Sequence, residues 1–333
     1  MSNSAPAFGT VMAPHMAVAT TTGGVFSTAE VVPTAAIELH PAAHALHYGS
    51  ACFEGLKAHG GVDGKVRLFR ADRHAERLRA SAARLLLPVP PTDLLAQALH
   101  DVVSANLDVV PETPGALYLR PVLLGTDPNI GAAAAPSDEA LLYILASPVG
   151  DYFRGGNTGL TLAVETELPR TTPQFGQVKS GANYAMALGV TRRAREEHGA
   201  DQVLFAPGGD VQETGAANFL LIDDRRVVTR ALDGSFLHGV TRDSVLTLAG
   251  DLGYTVEERD ISIEEIADWA ADGEAALAGT AAVLAPVGAL IHRGERIQVG
   301  DGSMGPNTAR LRDALLAIQR GQAADPHGWT QPV

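Results

Sequence analysis

Lysine and cysteine are nearly missing from this chain of 333 residues. Its lysines are Lys57, Lys65 and Lys179, which leaves 22 of the 25 basic side chains as arginine, and Cys52 is the single thiol. One cysteine excludes an intrachain disulfide, a CxxC redox pair and a multi-cysteine zinc site, and makes a reducing cytoplasm the expected compartment. A long apolar run is missing too. The stretch from Ala275 to Ile291 is interrupted by Gly279, Thr280, Pro286 and Gly288, so it suits buried strands and a turn better than a membrane span. No basic residue precedes the apolar positions of MSNSAPAFGTVMAPHMAV, so no secretory signal is expected. With 38 acidic side chains and a net charge of −13, the chain is too acidic for general nucleic-acid binding.

The common chemical fingerprints are also absent: no GxGxxG follows a strand, and neither a phosphate-loop motif nor HExxH occurs. GDGSMG, near Gly300, fails the nucleophile-elbow pattern at Asp301. His44 and His47 are three apart without an accompanying carboxylate or thiol pattern, so no metal site is expected.

What is present is a globular composition, 46% hydrophobic and 19% charged, long enough for two domains. VRLF (Val66 to Phe69) reads as a strand and the spacing of Leu78, Ala82, Leu85 and Leu86 as a helix over 71–87, with a second helix over 92–107. Strands are expected from Ala116 and Ala140. PVGDYFRGGNTG then marks a linker at 148–159, dividing a first domain (1–147) from a second (160–333). Beyond it, a helix covers Tyr184 to His198. QVLFAP, the paired glycines Gly208-Gly209 and VQETGAANFLLID signal a hairpin, since the glycines supply the positive φ of a tight turn. Further strands and helices run to a last helix over 307–321. Strands in runs, with little strict strand-helix alternation, argue for an α+β fold.

Lys179 differs from the other two lysines. It falls in QVKSGANYAMAL, among small and apolar residues just ahead of a helix. A crowded amine loses its proton more readily and can act as a nucleophile and a proton shuttle, which arginine cannot. Lys65, after a VDG turn, reads as a surface residue, and Lys57 stays unassigned.

Five segments in this order carry a resemblance: ALHYGSACFEGLKA, VRLFRADRHAERLRASA, LYLRPVLLGTDP, KSGANY with ETGAANFL, and HGVTRDSV with AGTAAVLAPV. Together they resemble the branched-chain amino-acid transaminases of the pyridoxal-phosphate fold-type-IV group. The resemblance implies a smaller N-terminal α/β domain and a larger, barrel-like, cofactor-binding C-terminal domain. It also implies pyridoxal 5'-phosphate as cofactor and a homodimer or higher even oligomer. Lys179 matches the lysine that holds the cofactor covalently and moves the proton. Glu213 matches the carboxylate at the pyridine nitrogen, and Tyr184 the tyrosine near the 3′-oxygen. Arg77, Val240, Thr241 and Thr280 match the phosphate residues, while the Thr280 and Ala281 amides fall in the substrate-carboxylate region. Tyr48, Phe53, Tyr118 and Tyr152 match an apolar side-chain pocket, and Arg120 an arginine of carboxylate recognition.

The chain departs from that pattern in two places. Where the subgroup carries a Gly-Leu-Gly-Val type loop toward the partner subunit, this chain has Asn129-Ile130-Gly131-Ala132 and three more alanines. ELPRTTPQFGQV, before Lys179, matches neither common branch. The CxxC thiol switch of some relatives is replaced by AAVLA. The expected reaction is amino-group exchange between a branched-chain L-amino acid and 2-oxoglutarate, both small molecules. The alternatives are a transaminase for another apolar, aromatic or D-amino acid, an aminodeoxychorismate lyase, or a non-catalytic cofactor-binding protein. Arg120 in YLRP and the FEGLK segment count against the D-amino-acid and lyase readings; Lys179 and Glu213 count against the non-catalytic one.

Overall fold

The computed structural model describes residues 8–150 and 158–333. They fall into two units: Met1–Tyr152 with Val178–Gly181 and Ile318–Val333, and Phe153–Gln177 with Ala182–Ala317. The linker expected at 148–159 lies mostly outside the described residues. Val178–Gly181 and the C-terminal tail, expected with the second domain, belong to the first unit because their backbones bond to its strands.

The first unit contains β1 (His15–Thr22), β2 (Val25–Phe26), β3 (Glu30–Pro33), the short α1 (His44–Tyr48), β4 (Ala51–Phe53), β5 (Leu56–Gly60) and β6 (Val66–Phe69). It continues with α2 (Ala71–Arg84), α3 (Thr92–Ser104), β7 (Ala116–Gly125) and β8 (Ala140–Val149). β7 is the axis of the sheet, pairing antiparallel with β8 from Ala116↔Val149 to Gly125↔Ala140 and also with β4 and β5. Because side chains alternate along a strand, Leu117, Leu119 and Leu123 point to one face. There they pack with Leu56, Ala58, Ile144 and the apolar stripes of α2 and α3, which include Leu78, Ala82, Leu99 and Val102. Tyr118, Arg120 and Val122 share the other face, in register with Lys57 and Phe53. α2 ends at Arg84 rather than at 87, since Pro88 disfavours helical geometry in the residue before it.

The second unit contains β9 (Leu160–Glu165), α4 (Gly181–His198), β10 (Gln202–Phe205), β11 (Asn218–Ile222), β12 (Arg226–Thr229) and α5 (Val240–Asp251). After these come β13 (Thr255–Glu258), α6 (Ile263–Trp269), β14 (Glu274–Gly279), β15 (Val283–His292), β16 (Glu295–Gln298) and α7 (Pro306–Gln319). The sheet order is β10-β9-β15-β14-β11-β12-β13, with β16 beside β15. Leu162, Leu204, Phe219, Leu277 and Val287 pack with Ile263 and Ile266 of α6; Ala163, Val203 and Phe205 pack with Ala187 and Ala194 of α4. The run from Ala275 to Ile291 becomes the buried hairpin β14-β15. The hairpin expected across Gly208-Gly209 forms only as a short bridge. Phe205 exchanges backbone bonds with Gln212 and Glu213, whereas β11 pairs with β12 and β14. A turn signal sets the local reversal, but β11, buried at every position, goes where both its faces are covered.

The chain ends on β17 (Thr330–Pro332), which adds to the first unit antiparallel to β6. Trp329, 8% exposed, anchors it. Its ring meets Phe69 edge-on at 5.9 Å, stacks on His327 at 4.5 Å and lies 5.0 Å from the Arg70 guanidinium. Among the described residues, no helix is long and apolar enough to cross a membrane. Trp329→Ala is expected to cost about 3 kcal/mol or more, read as a lower urea midpoint of unfolding by circular dichroism; an unchanged midpoint would show that the tail adds nothing.

Candidate active site

In the first unit, β4 delivers Phe53 and Glu54 to the loop that carries Lys179. The Phe53 amide donates to the Lys179 carbonyl at 2.9 Å, and the Lys179 amide donates to Ser81 Oγ on α2 at 3.1 Å. The lysine backbone is thus fixed from two elements. Its half-buried side chain places Nζ 5.0 Å from the Phe53 ring. Glu54, 1% exposed, takes Arg77 Nε at 2.6 Å and Nη2 at 2.9 Å, and His74 Nδ1 at 2.7 Å. Burial alone would raise the Glu54 carboxyl, but the attraction and hydrogen bonds of Arg77 and His74 outweigh it and hold Glu54 well below the usual carboxylate range. Burial also lowers His74 despite the pull of Glu54, so the neutral ring donates and Arg77 is the cation. Burial, and then the charge of Glu54, push the Cys52 thiol up to about 12, which leaves it protonated and inert.

The sheet face opposite the helices brings together three predicted pocket residues. Arg120 Nη2 donates to the Tyr118 hydroxyl at 2.9 Å, and its guanidinium lies 4.7 Å from the Phe53 ring and 5.3 Å from the Tyr118 ring. Gly55 is required here: a Cβ would lie 2.0 Å from the Tyr118 hydroxyl. Tyr48 does not touch this group. It is 38% exposed on α1, its ring meets His44 and His47, and its hydroxyl donates to the Ile130 carbonyl. The buried His44 bridges Ser50 Oγ at 2.8 Å and the Ala135 carbonyl at 3.1 Å, so α1 fastens both ends of the alanine-rich loop. Tyr152 lies outside the described residues.

In the second unit, Glu213 is 2% exposed. It takes the Leu237 amide at 3.0 Å and Asn218 Nδ2 at 3.2 Å, and stands 2.7 Å from Arg170 Nε as an ion pair. Asn218 also donates to the Leu237 carbonyl, and Gly239 gives it room, since a Cβ there would lie 2.0 Å from Asn218 Oδ1. Gly239 is the N-cap of α5, so Val240 and Thr241 open a helix that no side chain caps. Uncapped first-turn amides suit a phosphate, and the whole helix adds a favourable dipole. Asp243 in the same turn opposes this in part. Thr280 and Ala281 are half-buried in the β14-β15 turn. Val283, which closes it, has φ 64°, a left-handed geometry that strains a β-branched residue. Tyr184 lies in the first turn of α4, 5.9 Å from the Arg170 guanidinium.

Taken unit by unit, the chemistry suits a pyridoxal phosphate: the first unit has a fixed lysine and a fork-held arginine, and the second has a buried carboxylate and an uncapped helix start. A recess of about 850 Å³ on the second unit does not, because Asp223, Asp224, Glu257, Glu274 and Asp301 line it and would repel a dianion. The sequence reading missed Glu54, His74 and Arg170. FEGLK holds Glu54 in plain view, and an acid inside an apolar stretch with an arginine on the next helix was the available signal. Arg170 had none, lying in the segment that matches no branch.

Replacing Glu54 removes the carboxylate charge from beside a largely buried guanidinium, so Glu54→Gln is expected to lose about 3 kcal/mol of stability at pH 7, measured by urea unfolding. His59 gives a second test. It is 3% exposed with Nε2 unpartnered, and burial, then the charges of Lys57 and Arg320, push it down to about 3. Its folded pKa is below the unfolded value of about 6.5, so the stability it gives above that pH is lost as pH falls through this window. His59→Leu should therefore lose less thermal stability than the parent between pH 7 and pH 5. An equal loss would place the acid sensitivity elsewhere.

Comparison with known proteins extends the geometry. The family model for amino-transferase class IV matches residues 51–290. The branched-chain-amino-acid aminotransferase of Mycobacterium tuberculosis is 40% identical over 338 residues, covering 97% of this chain and 91% of that protein. A crystal structure of the Escherichia coli branched-chain amino acid aminotransferase superposes with TM-score 0.79 at 30% identity, covering 96% of this chain and 99% of that one. An enzyme of the same name from T.th., solved with pyridoxamine 5'-phosphate, superposes with TM-score 0.78 at 27% identity, covering 96% and 98%. With a family model over most of its length and a relative 40% identical across 97% of it, the chain belongs to the class IV aminotransferase family.

Proposed function

We propose that this protein is a pyridoxal-phosphate-dependent transaminase that exchanges the amino group between a branched-chain L-amino acid and 2-oxoglutarate. The observation that carries this reading is Lys179, one of three lysines, whose backbone is pinned by Phe53 and Ser81 at the head of α4. When bound, pyridoxal phosphate supplies an aldehyde carbon that takes up an amine and a ring that accepts electron density from the substrate α-carbon. Lys179 provides the amine for covalent attachment and, once released, carries the proton from the α-carbon. Glu213, paired with Arg170, would face the ring nitrogen and favour its protonated form. Arg77, Thr241, Thr280 and the Val240 amide would hold the phosphate, and Tyr184 would serve the 3′-oxygen. Phe53 and Tyr118 offer apolar ring faces to an aliphatic chain, while Arg120 and the Tyr118 hydroxyl meet a carboxylate, as two unlike substrates require. The Ala281 amide serves the α-carboxylate.

Tyr48 and the loop it holds belong, in this reading, to the pocket of a second subunit, which makes the working form a homodimer or higher even oligomer. Ala132 in that loop, where relatives carry valine, favours a second reading in which larger apolar or aromatic side chains are accepted.

The purified protein is expected to be yellow, with borohydride fixing the cofactor to Lys179, and Lys179→Ala should lower transamination by on the order of 10,000-fold. A panel of L-leucine, L-isoleucine, L-valine, aromatic L-amino acids and D-alanine, each with 2-oxoglutarate, decides the substrate. Turnover of D-alanine alone would overturn the branched-chain assignment, and protein that stays colourless with added cofactor would overturn the transaminase reading.

A further inference from the structure

Arg170 is almost wholly enclosed, 3% exposed, in a strand-to-helix segment with no counterpart among the motifs of the sequence. Burying a guanidinium is costly, and it persists only where its charge is matched. Its Nε stands 2.7 Å from Glu213 Oε1, with the carboxylate as buried as itself. Nη2 reaches the Gly176 carbonyl at 3.4 Å, and the guanidinium carbon lies 5.9 Å from the Tyr184 ring. The segment itself is braced: the Thr171 hydroxyl meets Asn183 Oδ1 at 2.8 Å, and Asn183 Nδ2 donates to the Phe175 carbonyl at 2.9 Å. Arg170 is therefore held from its own loop and touches Glu213 directly.

We propose that Arg170 is a positioning residue that fixes where the proton sits between Glu213 and the ring nitrogen of the cofactor. The inference rests on the transaminase reading above. A buried carboxylate facing a pyridine nitrogen can share one proton in two ways, as a neutral acid beside a neutral ring or as a carboxylate beside a protonated ring. A fixed cation in contact with the carboxylate stabilises the second arrangement, since it meets the negative end of that dipole at shorter range than the positive end. The Leu237 amide and Asn218 act in the same sense as neutral donors. Arg170 thus sets the electron demand of the ring while touching neither substrate nor the reacting atoms.

The test loads the full-length protein and its variants with pyridoxal phosphate labelled with nitrogen-15 in the ring and reads the protonation of that nitrogen by NMR. Arg170→Gln removes the charge but keeps a donor for Gly176; Arg170→Lys keeps the charge and loses the fork. With Arg170→Gln the cofactor still attaches to Lys179, the ring-nitrogen signal moves toward the unprotonated position, and the amino-acid half-reaction slows. Arg170→Lys keeps the protonated signal. A protonated ring in Arg170→Gln at every pH, or an unprotonated one in Arg170→Lys, overturns the inference and leaves the transaminase reading intact. Wild-type protein that binds no cofactor overturns both. A brace acting only through Gly176 would change the thermal midpoint without moving the nitrogen signal.

Discussion

The contact between Glu54 and Arg77 is the interaction on which the candidate residues of the first unit depend. A carboxylate with 1% exposure survives only because the arginine fork and the neutral His74 replace the water it has lost. The consequences spread from there. Arg77 is fixed through Nε and Nη2, so its guanidinium is held in a defined direction. The same carboxylate ties α2 to the end of β4, and α2 in turn offers Ser81 to the Lys179 backbone. Its field also adds to burial in keeping the Cys52 thiol protonated. The backbone of Lys179, the direction of the Arg77 guanidinium and the protonated Cys52 thiol are therefore all tied to one buried acid.

The second unit repeats the device with different parts. Glu213 is matched by Arg170, and Arg242, 3% exposed at the head of α5, reaches Glu258 at 2.7 Å. The net charge of −13 explains why such pairing is needed. In an acidic protein the long-range field opposes a dianionic ligand, so positive potential has to be built locally from fixed arginines and free helix amides. Arginine suits that task because it keeps its charge when buried. Lys179, under the proposed function, is the position where the charge has to come and go.

Much of this was legible in the sequence. The helix faces of α2 and α3, the strands β6, β7 and β8, and the buried β14-β15 hairpin follow from apolar spacing, because burial on one face or two writes itself into the residue pattern. Lys179 and Glu213 were singled out through motif order, and the structure shows the first with its backbone pinned and the second buried against an arginine. The course of the chain after Phe205 was not: the glycine pair reports a reversal, while the partner of β11 is chosen by long-range burial that no local window contains. Arg170 was hidden for a similar reason. A lone arginine among prolines and threonines has the composition of a surface loop, and only the fold shows its charge turned inward against a carboxylate some forty positions away. The strain at Val283 was equally unreadable, since valine is among the last residues that sequence would assign to a left-handed turn.

Arg120 shows the opposite solution to burying a cation. It has no carboxylate partner among the described residues; the rings of Phe53 and Tyr118 and one hydroxyl hold it, and its Nε is buried without a hydrogen bond. Aromatic faces stabilise a guanidinium by about 0.5–2 kcal/mol, less than a buried ion pair would, and without satisfying its donors. Arg77, by contrast, is already forked to a protein acid. Arg120 surrenders nothing when a carboxylate arrives, and when an aliphatic chain arrives instead, the ring faces beside it are already apolar. A site that alternates between a branched-chain amino acid and a dicarboxylate has to tolerate both occupants at similar cost. An arginine packed on aromatic rings meets that condition, where one neutralised by a protein acid would favour the apolar substrate and exclude the acidic one.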